Sequence, residues 1–187
     1  MTLVAAAMVA VSASAQVYVG GSFGVGSHTF DYGHGDDQSV TTYKFMPEIG
    51  YNINEDWAVG AGFGWKGANE DFAKAVEVAP YVRWTPVHLK NLNVFIDGAF
   101  GYAHYYGGSA DLQAKTPCES KVVKHDEVAV GLRPGLALEL DEHFSFEAHV
   151  GFLGWTQFTY DNSDTKITSV GLNLDGNNLS FGVVYKF

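Results

Sequence analysis

The sequence predicts an all-β fold, an eight-stranded antiparallel up-and-down transmembrane β-barrel. Three observations carry that expectation. Apolar and small or polar residues alternate with period two through most of the 187 residues, the spacing of a strand whose two faces meet different surroundings. The connections alternate between short turns and long polar stretches, an asymmetry of outer-membrane barrels. Finally, the apolar face carries no formal charge, while charged residues share the other face with Gly and Ala. A soluble lipocalin-like binder would reverse that pattern.

The chain opens on Thr2–Ser12, a short uncharged run of Leu, Val, Ala and Met. Ala13-Ser14-Ala15 then supplies small residues suited to cleavage. Residues 1–15 therefore read as a signal peptide and Gln16–Phe187 as one barrel domain. The run is too short to span a bilayer. Met1-Thr2 lacks the usual basic start, which fits a start codon placed too far downstream.

Strands follow in order. Val17, Val19, Phe23 and Val25 form the first apolar face. Tyr43, Phe45, Pro47, Ile49, Tyr51 and Ile53 form the second, and Trp57, Val59, Ala61, Phe63 and Trp65 the third. Val76, Val78, Pro80, Val82 and Trp84 come next, then Val94, Ile96, Gly98, Phe100 and Tyr102. The sixth set is Val128, Val130, Leu132, Pro134, Leu136, Leu138 and Leu140. The seventh is Phe144, Phe146, Ala148, Val150 and Phe152, and the last is Leu179, Phe181, Val183, Tyr185 and Phe187. Eight is the smallest common membrane-barrel size.

Asn54-Glu55-Asp56 and Asp141-Glu142-His143 read as tight turns, and 85–91 as a slightly longer one. Residues 27–41, 67–75, 105–124 and 156–166 read as long loops. Proline cannot donate to a ladder, so bulges or missing ladder bonds are expected at Pro47, Pro80 and Pro134. The segment 167–175 extends the last strand above the membrane, with an irregularity at Asp175-Gly176-Asn177, or forms a short extracellular strand.

Composition agrees. The chain carries 13 Phe, 10 Tyr, 4 Trp and 22 Gly, a mix that suits strands and turns. One cysteine, Cys118, excludes an internal disulfide framework and reads as a loop thiol. A net charge of −10 argues against nucleic acid as a partner.

The inward face collects Lys44, Lys66, Arg83, Arg133 and Lys186 against Glu48, Glu77, Asp97, Glu139 and Glu147. These charges, with His149, are expected to form a balanced lumen network, because buried ions must pair. Arg83 and Arg133 are its expected anchors, since one guanidinium bridges several carboxylates. Aromatics gather at both ends of the strands: Tyr51, Trp57, Trp84, Phe144, Tyr185 and Phe187 near the short turns, Tyr43, Trp65, Tyr102 and Phe152 near the long loops. These read as interfacial girdles.

Sites of chemistry are sparse. His28, His34, Asp31, Asp36 and Asp37 crowd the first loop and are metal-ligand types, but the spacing fits no defined site. His149 beside Glu147 or Asp97 lacks a Ser-His-acid set and reads as part of a polar network. Gly60, Gly62 and Gly64 alternate within a strand with no helix after them, so they do not form a phosphate loop. No catalytic residue, metal site or cofactor is expected.

With the alternating strands, short turns, long loops and terminal aromatic strand in view, the chain resembles the small Gram-negative outer-membrane β-barrel family, of the OmpA-barrel and OmpX type, over Gln16–Phe187. The resemblance implies location in the cell outer membrane. It also implies that Val183, Tyr185 and Phe187 act as an assembly signal for the barrel-assembly machinery, after passage through the secretion translocon. Other implied partners are outer-membrane lipid and lipopolysaccharide. No peptidoglycan-binding domain is expected after the barrel, so a cell-wall tether is not implied. The family includes structural barrels, adhesins, small porins and a few enzymes, so fold alone does not decide function. The expected function is a non-enzymatic barrel with a structural or surface-interaction role. The alternatives are a small porin or, behind it, a lipid-modifying enzyme.

Overall fold

The computed structural model describes residues 17–30, 38–68, 74–106, 124–160, 166–174 and 179–187. They form strands and turns only. The strands are β1 (Val17–Phe30), β2 (Gln38–Asn52), β3 (Trp57–Ala68), β4 (Lys74–Leu89), β5 (Leu92–Tyr106), β6 (His125–Glu139), β7 (Phe144–Val150), β8 (Phe152–Tyr160), β9 (Lys166–Asn173) and β10 (Leu179–Lys186). Each pairs antiparallel with its neighbours. β6 takes β7 along its lower half and β8 along its upper half, and β10 pairs with both β7 and β1. β7 with β8 is thus one stave, and β9 with β10 another. Ten strands make the eight-stave closed barrel that the alternation predicts.

Closure satisfies backbone N–H and C=O groups that lipid cannot. Tyr18 faces Lys186 and Phe23 faces Phe181 in the closing ladder. The amide of Phe187 donates to the Val17 carbonyl at 3.1 Å, and that of Lys186 to the His143 carbonyl at 2.7 Å, which ties the last strand to both neighbours. Among the described residues no ladder joins β1 to β9. β9 follows β10 up the same stave, Asn173 facing Phe152 and Leu179 facing Val150. The described part of 167–175 therefore continues the last stave, as the first of its two expectations has it, but Leu172 and Val170 stand level with the lipid-facing Leu153 and Trp155 and not above them. The irregularity expected at 175–177, the signal peptide and residues 31–37 of the first loop lie outside the described residues.

Each of Pro47, Pro80 and Pro134 marks a flaw in one of its ladders. Pairing of β2 with β3 lapses between Phe45 and Glu48, around Pro47, without a change of register. Pairing of β4 with β5 lapses between Val78 and Tyr81, around Pro80. Beside Pro134 the flaw is a bulge: Arg133 and Pro134 stand opposite Val150, Gly151 and Phe152. Gly151 adopts φ +78° there, a left-handed conformation that costs other residues energy.

The bulge corrects one assignment. An extra residue turns every later side chain to the opposite face. Leu153 therefore faces Leu132 on the lipid side, and Phe152 lies on the lumen side instead of in the outer girdle. Two boundaries also differ. The connection expected at 85–91 is largely strand, because β4 continues to Leu89 through a register shift between Trp84 and Val87. The long loops are shorter than expected, as β1 runs to Phe30 and β2 starts at Gln38. A ladder needs no apolar side chains once it leaves lipid, so pairing outlasts the apolar alternation.

Two tight turns share one device. Asn54 Oδ1 accepts from the amides of Asp56 (2.9 Å) and Trp57 (2.8 Å). Asp141 Oδ1 accepts from His143 (2.8 Å) and Phe144 (2.7 Å). These are turns in which the side chain caps its own following backbone. The amides of Phe144 and His143 hold the Asp141 carboxyl below the usual carboxylate range.

The outer face is apolar and exposed to the surroundings, from Val19, Phe23 and Val25 round to Phe181 and Val183. Near the short turns Trp57 stacks on Trp84, with centroids 6.2 Å apart, and Tyr185 meets Phe144 and Phe187 edge-on at 4.9 Å. Inside, glycine admits large rings. A Cβ at Gly60 would lie 2.6 Å from the Tyr81 ring, and one at Gly135 would collide with Phe95.

Gly151→Ala is expected to lower unfolding free energy by about 1–2 kcal/mol, the cost of a left-handed non-glycine residue. Urea titration of the detergent-folded barrel checks this.

Candidate functional site in the barrel lumen

The register builds the lumen site before any side-chain choice. Arg83 on β4 faces Asp97 on β5, and Asp97 faces Arg133 on β6. One carboxylate is thus flanked by two guanidinium groups on adjacent strands. Arg83 donates from Nε to Asp97 Oδ1 at 2.8 Å and from Nη2 to Oδ2 at 3.2 Å. Its third contact crosses the lumen, Nη1 to Glu147 Oε1 at 2.7 Å. Arg133 Nη2 lies 3.8 Å from Asp97 Oδ2, and His149 Nε2 lies 3.0 Å from the same oxygen. Asp97 is 0 % exposed. The Arg83 guanidinium also sits 3.8 Å from the centre of the Phe95 ring, a cation–π contact that favours arginine over lysine.

Beside this bridge Tyr81 donates its hydroxyl to Glu48 Oε2 at 3.1 Å, and the Tyr18 and Tyr81 hydroxyls lie 2.8 Å apart. Toward the long loops, Lys44 and Lys66 each reach Glu77 at 3.1 Å. Lys66 also reaches Glu127 at 3.4 Å, and Tyr105 donates to Glu127 at 2.7 Å. Toward the short turns, Lys186 pairs with Glu139 at 2.8 Å, and Asn93 donates to Glu139 at 3.1 Å. The lumen is therefore filled in three tiers.

All eleven residues expected in the network lie on the inner face. The structure brings Arg83, Asp97, Glu147, His149 and Arg133 into one cluster, Lys44, Lys66 and Glu77 into a second, and Lys186 with Glu139 into a third. Glu48 meets a tyrosine hydroxyl. Sequence reasoning missed Glu127, Tyr81, Tyr18, Tyr105 and Asn93. Glu127 was legible: the alternation of β6 simply begins earlier than Val128. With it the described lumen holds six carboxylates against five Lys and Arg side chains, one acid more than balance.

Below the Arg83 bridge a cavity of about 550 Å³ opens among Arg83, Glu147, Ser145, Glu139, Lys186 and His88. Ser145 Oγ and Glu147 Oε2 are buried there without a hydrogen-bond partner among the described residues, and water is the group that satisfies such atoms in a polar cavity. Among the described residues no group of three or more His, Cys, Asp and Glu side chains could hold a metal. The first-loop set His28, Asp31, His34, Asp36 and Asp37 lies outside the described side chains. Of the terminal residues, Val183 and Phe187 are exposed on the outer face and Tyr185 is half-buried in the aromatic cluster.

A family model described as the outer membrane protein β-barrel domain matches residues 1–187. The chain belongs to the outer-membrane protein β-barrel domain family. It is a protein of the outer membrane. Among solved structures it is similar to the N-terminal β-barrel domain of Pseudomonas aeruginosa OprF, at 11% identity and TM-score 0.53, covering 92% of this chain and 98% of that one. It is also similar to Neisserial surface protein A (NspA), at 12% identity and TM-score 0.55, covering 93% and 98%. At such identities the likeness concerns the fold. No curated protein matches the chain.

Burial sorts the ion pairs of this outer-membrane barrel. Removing one partner of a buried pair strands the other and costs about 3–5 kcal/mol, whereas exposed pairs contribute about 0–1 kcal/mol. Arg83→Ala is therefore expected to cost about 3–5 kcal/mol and Lys186→Ala less than about 1 kcal/mol. Equilibrium unfolding of each variant in detergent measures the difference, and equal losses would contradict this ranking.

Proposed function

We propose that the protein is a closed, non-enzymatic outer-membrane barrel with a structural or surface-interaction role. The observation that carries this reading is the Arg83 bridge, bonded to Asp97 on one side and Glu147 on the other. An ion crossing the lumen would have to separate charges that are buried and already paired. The three tiers leave function to the long connections, which lie at the end opposite the tight turns. Those turns face the periplasm in this reading. Val183, Tyr185 and Phe187 serve as the recognition strand for the barrel-assembly machinery, a role taken from the family resemblance and the exposed aromatic end of β10.

A small channel is the second reading, and the cavity below Arg83 is what favours it. Planar-bilayer recording separates the two. The closed barrel is expected to give no large, stable conductance steps, and their appearance would sink it. Orientation has its own test. Cys118 lies in the connection between β5 and β6, so a membrane-impermeant maleimide is expected to label it on intact cells. Labelling only after the outer membrane is permeabilised would place the long connections inside.

A further inference from the structure

The lumen opens at its short-turn end into a vestibule. The connections around it, 53–56, 90–91 and 140–143, all lie among the described residues. Register fixes what its wall presents. Ala137 on β6, Glu147 on β7 and Gly182 on β10 share one inward row. The next row toward the turns is Glu139, Ser145 and Val184. Glu147 and Glu139 are therefore diagonal neighbours on adjacent strands, about 7–8 Å apart at the backbone, with the Ser145 hydroxyl in the same corner. Ala137 and Val184 keep that wall low, and the cavity of about 550 Å³ lies against it.

Both carboxylates are half used. Glu147 Oε1 accepts from Arg83 at 2.7 Å, while Oε2 is buried with no partner among the described residues. Glu139 Oε1 accepts from Lys186 at 2.8 Å and from Asn93 at 3.1 Å, and no hydrogen bond from the described residues ends on its Oε2. Ser145 Oγ is likewise buried and without a partner among them. Ser145 is 1 % exposed and Glu147 4 %, so these are built-in acceptors and not surface groups. The charge is one-sided as well. Glu55, Glu139 and Glu147 line the cavity against Arg83 and Lys186, and Arg83 is already shared with Asp97. His88, at the rim, is engaged with Asp56 at 3.1 Å.

Spare acceptors in a negative pocket select a cation that carries N–H donors. A bare metal ion does not fit, because among the described residues no group of three or more His, Cys, Asp and Glu side chains could hold one. A cation charged at both ends does fit, since it meets two separated carboxylates at once. We propose that the vestibule is a binding site for linear alkane diamines. One ammonium donates to Glu147 Oε2 and Ser145 Oγ, replacing water there, and the other donates to Glu139 Oε2. An alkyl chain of about four to five methylenes spans the diagonal between the two acids and lies over Ala137 and Val184. Lys186 already shows the pairing, an ammonium on an alkyl stem that ends on Glu139. The site is a blind pocket roofed by Arg83, and its ligand arrives from the periplasm, which rests on the closed barrel and the orientation proposed above.

The test is isothermal titration calorimetry of the full barrel, folded in detergent, with diaminobutane and diaminopentane. Butylamine and magnesium are the controls. Saturable binding of a diamine is expected, about tenfold tighter than butylamine, because the second ammonium adds a charge-assisted hydrogen bond. Glu139→Gln is expected to weaken it about tenfold, and Ser145→Ala by a smaller factor. Lys186→Gln removes the resident ammonium and is expected to tighten binding. Glu142→Gln, in a turn outside the cavity, is expected to change nothing. Thermal melts of each variant separate lost folding from lost binding. No saturable heat, equal affinity for butylamine or magnesium, or undiminished binding by folded Glu139→Gln would overturn the site. Large conductance steps in planar bilayers would instead refute the closed barrel and leave the calorimetric result standing.

Discussion

A lipid bilayer offers the backbone no hydrogen-bond partner, and the rest of this structure follows from that constraint. Each strand within the membrane must give its N–H and C=O groups to neighbours, so the sheet has to return to its own first edge. Closure fixes two faces of opposite chemistry. The wide, apolar outer face is set against lipid, and the narrow inner face must accommodate whatever side chains alternate with it. The prolines test the limits of this rule. The lapses at Pro47 and Pro80 leave register intact, and the stave is kept even where Pro134 and Gly151 disturb it.

The lumen is the second consequence. Side chains that alternate with lipid-facing residues have only one another and water for company. Charged groups placed there must be met by opposite charge or by hydrogen bonds, and Asp97 is the clearest case, flanked by Arg83 and Arg133 by register alone and approached by His149 from the bulged stave. The arrangement is costly to assemble and more costly to leave incomplete. It works as an internal brace whose members come from different strands, and the bond to Glu147 joins β4 to β7 across the interior. Surface function is thereby left to the rim and the connections.

Much of this was legible in the sequence, because period-two alternation is a strong signal when one face meets lipid. The outward sets of β1 to β7 and β10 can be read directly, and so can the inward positions of Lys44, Arg83, Asp97 and Lys186. Legibility failed where local geometry interrupts the period. Gly151 looks like any other inward glycine in a chain with many, yet its positive φ inserts a residue and sends Phe152 inward. Glu127 escaped because it lies where apolar alternation fades while the ladder continues. The extension of β4 to Leu89 was hidden by Thr85 and Pro86, which resemble a turn. Ion-pair partners across the lumen, such as Arg83 with Glu147, depend on barrel diameter and stave order, which no local pattern encodes.

The ladder between β1 and β10 joins the two ends of the described chain, with Tyr18 opposite Lys186 and Phe23 opposite Phe181. Every other ladder joins staves that follow one another in the chain. This one must wait until the intervening staves are in place, because bringing distant segments together is entropically the most demanding step of the topology. The seam therefore sets the order of events. On entropic grounds the hairpins are expected to precede the seam, and the lumen is sealed from lipid only when the final edge is zipped. A partly assembled chain would hold its charges facing an open side, so the same ion pairs that brace the finished barrel make its unfinished forms poorly compatible with the hydrocarbon. Insertion and closure are in this way expected to be coupled.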